Sequence, residues 1–229
     1  FDTGCPIFRG TWNVSYQATQ AALTAAEHVR SNGGCAYALS RPPGHHAGPD
    51  FHGGFCYTNH AAVAARYLQQ ATGERVAILD IDYHHGNGTQ AIFWRRDDVF
   101  FTSLHADPHD DYPYLSGHAD ERGEGIGRGH TLNFPLPVGT ASAAYLAALE
   151  QAIDALRERR CDAVVVSLGV DTFEKDPISG FKLRAADYLE IGRRIRRVGV
   201  PALFVFEGGY ATDEVGDNAV AVLVGYERG

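Results

Sequence analysis

Hydrophobicity comes along this chain in short blocks. Residues 76–81, 99–104, 163–168 and 202–206 are almost continuously apolar and rich in β-branched or aromatic side chains. A strand buried on both faces needs no polar alternation, so these runs predict central strands of a parallel sheet. Residues 35–39 form a fifth, weaker candidate. Between the runs, apolar positions recur at helical spacing. Residues 58–70 are alanine-rich, 140–159 are long and amphipathic, and 185–198 end in arginines, which suit a helix C-terminus. Residues 87–96 predict a shorter helix. Strands alternating with helices imply an α/β fold: a single open, mostly parallel sheet with helices on both faces. No internal repeat or linker-like stretch interrupts the pattern, so residues 1–229 read as one domain. Pro42-Pro43-Gly44 and the glycine-rich 123–129 read as loops within it.

Each strand runs into chemistry. Residues 76–81 lead into Asp82-Tyr83-His84-His85-Gly86, 99–104 into His105-Ala106-Asp107, 163–168 into Gly169-Val170-Asp171, and 202–206 into Glu207-Gly208-Gly209-Tyr210. The weak fifth strand leads into Arg41-Pro42-Pro43-Gly44-His45-His46. Ligands of open α/β sheets bind outside the carboxyl ends of the strands. Five such ends releasing His, Asp, Glu or Tyr point to one shared face.

Composition narrows the function classes. At 45% hydrophobic and 21% charged residues the chain can bury a full core. No run approaches the ~18 consecutive apolar residues of a membrane-spanning helix. A net charge of -8 disfavours nucleic acid as a partner and favours cationic ligands. The four cysteines, Cys5, Cys35, Cys56 and Cys161, form no C-x-x-C pair and read as reduced thiols, in keeping with a cytoplasmic protein.

Residues two apart on an extended segment face the same side, so Asp82 and His84 can aim at one point. Asp171, from another strand end, could add a third ligand for a divalent ion. Three protein ligands leave a position for water, as in catalytic sites. A lone D-x-H more often caps a helix; the histidines and Asp171 at other strand ends favour the metal.

The strings Arg41-Pro42-Pro43-Gly44-His45-His46, Gly53-Gly54-Phe55-Cys56-Tyr57, Asp80-Ile81-Asp82-Tyr83-His84-His85-Gly86-Asn87-Gly88-Thr89 and Glu207-Gly208-Gly209-Tyr210 resemble the histone deacetylase family. Residues 167–179, beginning Ser167-Leu168-Gly169-Val170-Asp171, are similar to its bacterial acetylpolyamine amidohydrolase branch. The resemblance covers nearly the whole chain. It implies the arginase-deacetylase fold and zinc-dependent hydrolysis of an acetamide on an alkylamine.

By that resemblance Asp82, His84 and Asp171 hold zinc, and the oxygen-rich donor set would also accept Fe²⁺. His46 is the implied general base, with His45, held by Asp80, as its electrostatic partner. Asn87 occupies a loop position where many members carry Asp to orient the second histidine. An amide stabilises imidazolium less than a carboxylate does, which predicts a lower pKa for His46. Tyr210 is the implied donor to the developing oxyanion. Phe55 and Tyr112 match the two aromatics lining the family's acyl-lysine tunnel, with Gly53 and Gly54 allowing close approach; Phe55 also fits an ordinary core position. A potassium site is implied at Asp80, Ser103 and Leu104, with main-chain carbonyls of Asp82 and His84. His28, His60, His109, His118 and His130 show no metal spacing and read as structural or exposed.

Residues 105–130 carry six acids (Asp107, Asp110, Asp111, Asp120, Glu121 and Glu124) against two arginines. They read either as a solvated loop or as a negative rim that attracts polyamine ammonium groups. Small cationic acetylated amines are therefore the expected substrates. Protein lysine deacetylation and non-catalytic binding of acetylated ligands are the rivals. Asp2-Thr3-Gly4-Cys5-Pro6 resembles an internal stretch of the family, so the N-terminal portion of the domain, with any dimer-forming loop, is expected to lie outside these residues.

Overall fold

The computed structural model describes residues 2–73 and 75–229. Its elements run, in chain order, α1 (Thr11–Asn32), β1 (Cys35–Ala38), α2 (His60–Thr72), β2 (Val76–Asp80), α3 (Asn87–Phe93), β3 (Val99–Ala106), β4 (Thr131–Leu136), α4 (Ser142–Arg159), β5 (Ala163–Leu168), α5 (Ala185–Arg196), β6 (Ala202–Phe206) and α6 (Val215–Arg228). Among the described residues the strands form one sheet of order β1-β6-β5-β2-β3-β4, and every pairing is parallel.

The period-2 geometry of the strands explains why they read as unbroken apolar runs. Ala77, Leu79 and Ile81 pack on one face with Val164, Val166 and Leu168, under Tyr145, Leu149, Ile191 and Val222 of α4, α5 and α6. Val76, Ile78, Ala163 and Val165 pack on the other, under Ala22, Ala61, Ala65 and Phe93 of α1, α2 and α3. Both faces are dry, so neither parity of residue is polar. The alanines of α1 and α2 let these helices approach the sheet closely.

Several boundaries move by a few residues. Helix α2 starts at His60, where Asn59 caps it by accepting from the Ala62 N–H, and ends before Gly73 in the left-handed region. Strand β3 extends past Leu104 to take in His105 and Ala106. Three elements go beyond the pattern-based expectation. Helix α1 buries mainly small residues, Ser15, Ala18, Ala22 and Ala26 with Val29, so its apolar stripe is faint. Strand β4, Thr-Leu-Asn-Phe-Pro-Leu, is an edge strand containing a proline, which a central strand would not tolerate. Helix α6 packs along α5.

Register then sets the chemistry in place. Asp80, the last residue of β2, pairs with Ser103 of β3 and Ser167 of β5, and Leu168 pairs with Phe206. The segments after β2, β5 and β6, which are adjacent strands, therefore emerge side by side at the carboxyl edge of the sheet.

Candidate active site

The backbone after β2 folds back on its own carboxylates. Asp80 accepts from the Asp82 N–H at 3.1 Å, and Asp82 Oδ1 accepts from the His84 N–H at 2.9 Å. These turns aim both Asp82 and His84 toward the segment after β5. There His84 Nδ1 lies 3.1 Å from Asp171 Oδ2 and 3.4 Å from Asp82 Oδ1. The second oxygen of each carboxylate is held by main chain, Asp82 Oδ2 by the Gly208 N–H and Asp171 Oδ1 by the Tyr83 N–H, each at 2.8 Å. A Cβ on Gly208 would stand 2.6 Å from an oxygen of both aspartates, so only glycine lets the backbone donate there.

The three ligand atoms lie within 4.8 Å of one another. Two corners of a tetrahedron with arms of ~2.1 Å are about 3.4 Å apart, so this spacing fits a zinc-sized ion. The electrostatics fit as well. Both carboxylates are fully buried. Burial and the neighbouring Asp82 charge push Asp171 up to about 7. Burial opposes a charge on His84, but hydrogen bonds to Asp171 and Asp82 outweigh it and raise its pKa to about 10. Two anionic donors and one imidazole in a dry setting suit a divalent cation.

A second group of potential ligands, His45, Cys56 and Glu207, also converges. Its polar atoms already have other partners. The Glu207 carboxylate accepts from the Gly44 N–H at 2.7 Å, the His45 N–H at 3.1 Å and the Ser167 hydroxyl at 3.1 Å. Burial keeps the Cys56 thiol well above its usual pKa, and it donates to the Gly54 carbonyl. Glu207 is thus an anchor tying the Pro-Pro-Gly-His-His loop to the end of β6, a role that the sequence did not disclose.

That anchored loop places the two histidines. His45 Nδ1 donates to Asp80 Oδ2 at 3.0 Å, and its Nε2 is 3.7 Å from Asp82 Oδ1. Burial disfavours its charge, yet Asp82 and Asp80 raise its pKa well above the ordinary value. His46 lies against it, ring centroids 3.9 Å apart, and donates from Nδ1 to Asn87 Oδ1 at 2.7 Å. Burial, then the positive charges of His45 and His84, hold His46 well below the usual imidazole range. The pair is divided electrostatically, one member charged and the other neutral.

A cavity of about 330 Å³ opens above His46 and His84, walled by Gly54, Phe55, Tyr112 and Tyr210. Tyr112 meets the His46 ring edge-on at 4.9 Å, and Phe55 meets Tyr210 edge-on at 5.8 Å. Phe55 is half exposed and has φ 67, a left-handed conformation unusual for an aromatic residue, so it is pocket wall rather than core. Tyr210 is fixed through its N–H to Asp176 at 2.7 Å. Burial and the Asp171 and Asp82 carboxylates push its phenol far up, so it stays protonated. Asp2 and Ile178, which sequence analysis left without a role, complete the wall together with Gly4.

The remaining expected residues fall as follows. Asp80 and Ser103 are register partners, and the Ser103 hydroxyl bonds His105 Nδ1 at 2.8 Å; Leu104 is buried beside them. His60 is a buried structural residue bonded to Thr19 and the Pro42 carbonyl. The four cysteines are unpaired, and among the described residues no helix is long and apolar enough to cross a membrane.

Several acids of residues 105–130 are oriented by local contacts. Asp107 pairs with His109, Asp111 accepts from the Tyr83 hydroxyl, Glu121 accepts from Gln90 and the Gly117 N–H, and Glu124 pairs with Arg95. Of these contacts only Glu124–Arg95 sets a permanent cation against an acid, and neutral donors orient Asp111 and Glu121 without cancelling their charge.

Comparison with known proteins agrees with this geometry. The chain is 55% identical over 227 residues to acetylpolyamine amidohydrolase 1 of Pseudomonas aeruginosa, covering 99% of this chain and 66% of that protein. It is 48% identical over 219 residues to the acetylpolyamine amidohydrolase of Mycoplana ramosa, covering 96% of this chain and 64% of that one. The crystal structure of the acetylpolyamine aminohydrolase from Burkholderia pseudomallei superposes with a TM-score of 0.94 at 43% identity, over 97% of this chain and 65% of that one. The chain thus spans about two thirds of the length of these relatives. The family model described as histone deacetylase domain matches residues 1–225. With that match and these relatives, the chain belongs to the histone deacetylase family, close to its bacterial acetylpolyamine amidohydrolases.

Proposed function

We propose that residues 1–229 form one catalytic domain of a zinc-dependent amidohydrolase that removes acetyl groups from acetylated polyamines or diamines. The observation that carries this reading is the placement of His46. Its Nδ1 is engaged by Asn87, while its ring borders both the Asp82–His84–Asp171 cluster and the aromatic cavity. Asp82, His84 and Asp171 would hold the metal, with Fe²⁺ also suiting the donor set. When bound, the ion would supply Lewis-acid polarisation of the acetyl carbonyl and would lower the pKa of the attacking water toward ~7.

The protein's own groups do the rest. With Nδ1–H fixed on an amide oxygen, which can only accept, His46 keeps Nε2 as a free base. It takes the proton of the attacking water and returns it to the leaving amine. His45, charged between Asp80 and Asp82, stabilises nearby negative charge and keeps His46 from binding a proton prematurely. The Tyr210 phenol donates to the carbonyl oxygen as charge gathers there. Phe55 and Tyr112 leave room for a thin methylene chain between flat rings. Asp80 and Ser103, with Leu104 and the Asp82 and His84 carbonyls, would take the potassium ion behind the site.

The aromatic slot suits any acetamide on a methylene chain, and the relatives named as acetylpolyamine amidohydrolases favour polyamine substrates. The test is turnover by the zinc-loaded protein of N-acetylputrescine and N-acetylcadaverine against an acetyl-lysine peptide. Preference for the diamines supports the reading. Preference for the peptide reassigns the substrate to protein lysine, and binding of all three without acetate release overturns the catalytic assignment.

A further inference from the structure

Two histidines outside the reactive cluster are brought together by the loop that presents Tyr112 to the pocket. His109 and His118 follow no helical or strand spacing, yet their rings lie edge-on with centroids 4.8 Å apart at 63°. They line one cavity of about 590 Å³ with Asp107, Asp120 and Pro135. Asp107 Oδ1 accepts from the His109 N–H at 3.0 Å and from its Nδ1 at 2.7 Å. These two bonds hold Asp107 below the ordinary carboxylate range, so it is ionised at neutral pH. A carboxylate that takes Nδ1–H fixes the tautomer and leaves Nε2 as the outward ligand, the arrangement that stands behind many metal-bound imidazoles. Among the described residues the His118 ring lies against His109 and has no hydrogen-bond partner, so both its nitrogens are available.

The ring separation fits a shared ion. An imidazole bound at ~2.1 Å has its centre about 3.2 Å from the metal, and two such rings at a tetrahedral angle stand about 5.2 Å apart. The observed 4.8 Å is one side-chain adjustment from that value, and His109 is exposed and His118 only half-buried, which leaves them free to make it. Asp120, exposed on the same cavity, offers an oxygen for a third position, and water would complete the set. Two imidazoles with a carboxylate oxygen suit zinc, nickel or copper, not calcium or magnesium. We propose that His109 and His118, with Asp107 behind His109, form a second metal site that takes a divalent transition ion of the zinc class. It is separate from the Asp82–His84–Asp171 cluster and, being open to solvent, weaker. It stands whether or not the deacetylase reading holds. The ion would also bridge a loop. The Asp107 N–H donates to the Leu136 carbonyl at 2.8 Å, and the Gly117 carbonyl accepts from His105 Nε2 at 2.9 Å, so β3 and β4 hold both ends. Tyr112 lies between them, and metal joining His109 to His118 would tie the segment that carries it.

The test is calorimetric titration of the chelator-stripped full chain with ZnCl₂. Two events are expected, a tight one at the buried cluster and a weaker one at the histidine pair. His118→Ala should remove the weaker event and leave the tight one. His109→Gln should do the same, and with that side chain 75% exposed its folding is not at stake. Asp107→Asn should weaken the second event by about 10- to 100-fold, the usual effect of losing a partner that orients a ligand. His28→Ala, at an exposed histidine of α1, should change neither event. A weaker event that survives both His109→Gln and His118→Ala, or that falls equally in His28→Ala, would show scattered surface binding and overturn the proposal. A single event at the buried cluster would overturn it too. If the tight event is missing, the buried-cluster reading fails by itself, and loss of the weaker event in His118→Ala still decides the second site. In Asp171→Asn protein, saturating Zn²⁺ should slow amide hydrogen exchange across residues 109–118, and His118→Ala should erase that change. Exchange unaltered by zinc would overturn the bridging of the loop.

Discussion

His46 Nδ1 and Asn87 Oδ1 are 2.7 Å apart, and an amide oxygen stands where a carboxylate would make His46 part of a charged pair. The amide fixes the tautomer without stabilising imidazolium. Burial and the charges on His45 and His84 meanwhile hold the His46 pKa low. His46, the proposed general base, is therefore held toward its unprotonated form.

Asn87→Asp should raise the His46 pKa, because a negative neighbour favours the protonated ring. A base must be unprotonated to act, so the acid limb of the kcat/KM profile should move to higher pH. A profile measured from pH 5 to 9 checks this, and an unmoved limb would show that Asn87 does not tune His46.

Tyr210→Phe removes the proposed oxyanion donor while leaving the ring that packs on Phe55. The expected loss is about a hundred- to a thousandfold in kcat with little change in KM. Steady-state kinetics on a diamine substrate reads both.

The buried carboxylates predict strong coupling between metal and stability. Chelator treatment should lower the melting temperature, and Zn²⁺ at about a hundred times its Kd should restore ~2.7 kcal/mol. For a chain of this size that is roughly 5–10 °C. Asp171→Asn should abolish most of the zinc-induced shift, which differential scanning calorimetry would show.

pH should act on the stripped protein in a defined direction. The folded-state pKa of His84 is raised to about 10 from an ordinary 6.5 by its contacts with Asp171 and Asp82, against the opposing effect of burial. Between those values the folded chain holds more protons than the unfolded one, so stability falls as pH rises. Asp171 and Glu207, raised to about 7 mainly by burial, act in the same sense up to neutrality. Below pH 6.5 the depressed His46, His85 and His105 oppose the trend. The clean window is thus pH 7–10, where metal-free protein should lose stability steadily. Zinc displaces the proton and should flatten the curve; parallel curves would contradict the account.

Gly54→Ala tests the pocket's backbone. At φ +53, a Cβ there would sit 2.2 Å from His46 Cδ2, so the substitution strains the loop and displaces His46 together. A stability cost of about 1–3 kcal/mol and a larger fall in kcat than in substrate affinity are expected from unfolding and kinetic measurements.

Most of the fold could be read from the chain because a parallel strand covered on both faces leaves an unmistakable apolar run. Strands β2, β3, β5 and β6 declare themselves this way. The faint stripe of α1 and the proline-bearing edge strand β4 do not, since their stability comes from neighbours rather than from local pattern. Among site residues, Asp82 and His84 were legible because their spacing is local. Asp171 and His46 depended on strand ends being adjacent, which alternation of elements implies only in outline.

By itself the sequence determined the class of fold, the ordering of reactive residues behind apolar strands, and membership in a family marked by long ordered motifs. Tertiary structure alone decided which charges meet. It tied Glu124 of the acidic stretch after β3 to Arg95, turned Glu207 into a loop anchor, and set Asp2 on the cavity wall 52 positions from the Gly54 it holds. The physical reason is range: propensity and periodicity act within a few residues, whereas the pairing of a carboxylate depends on which distant donor the packed chain brings within about 3 Å.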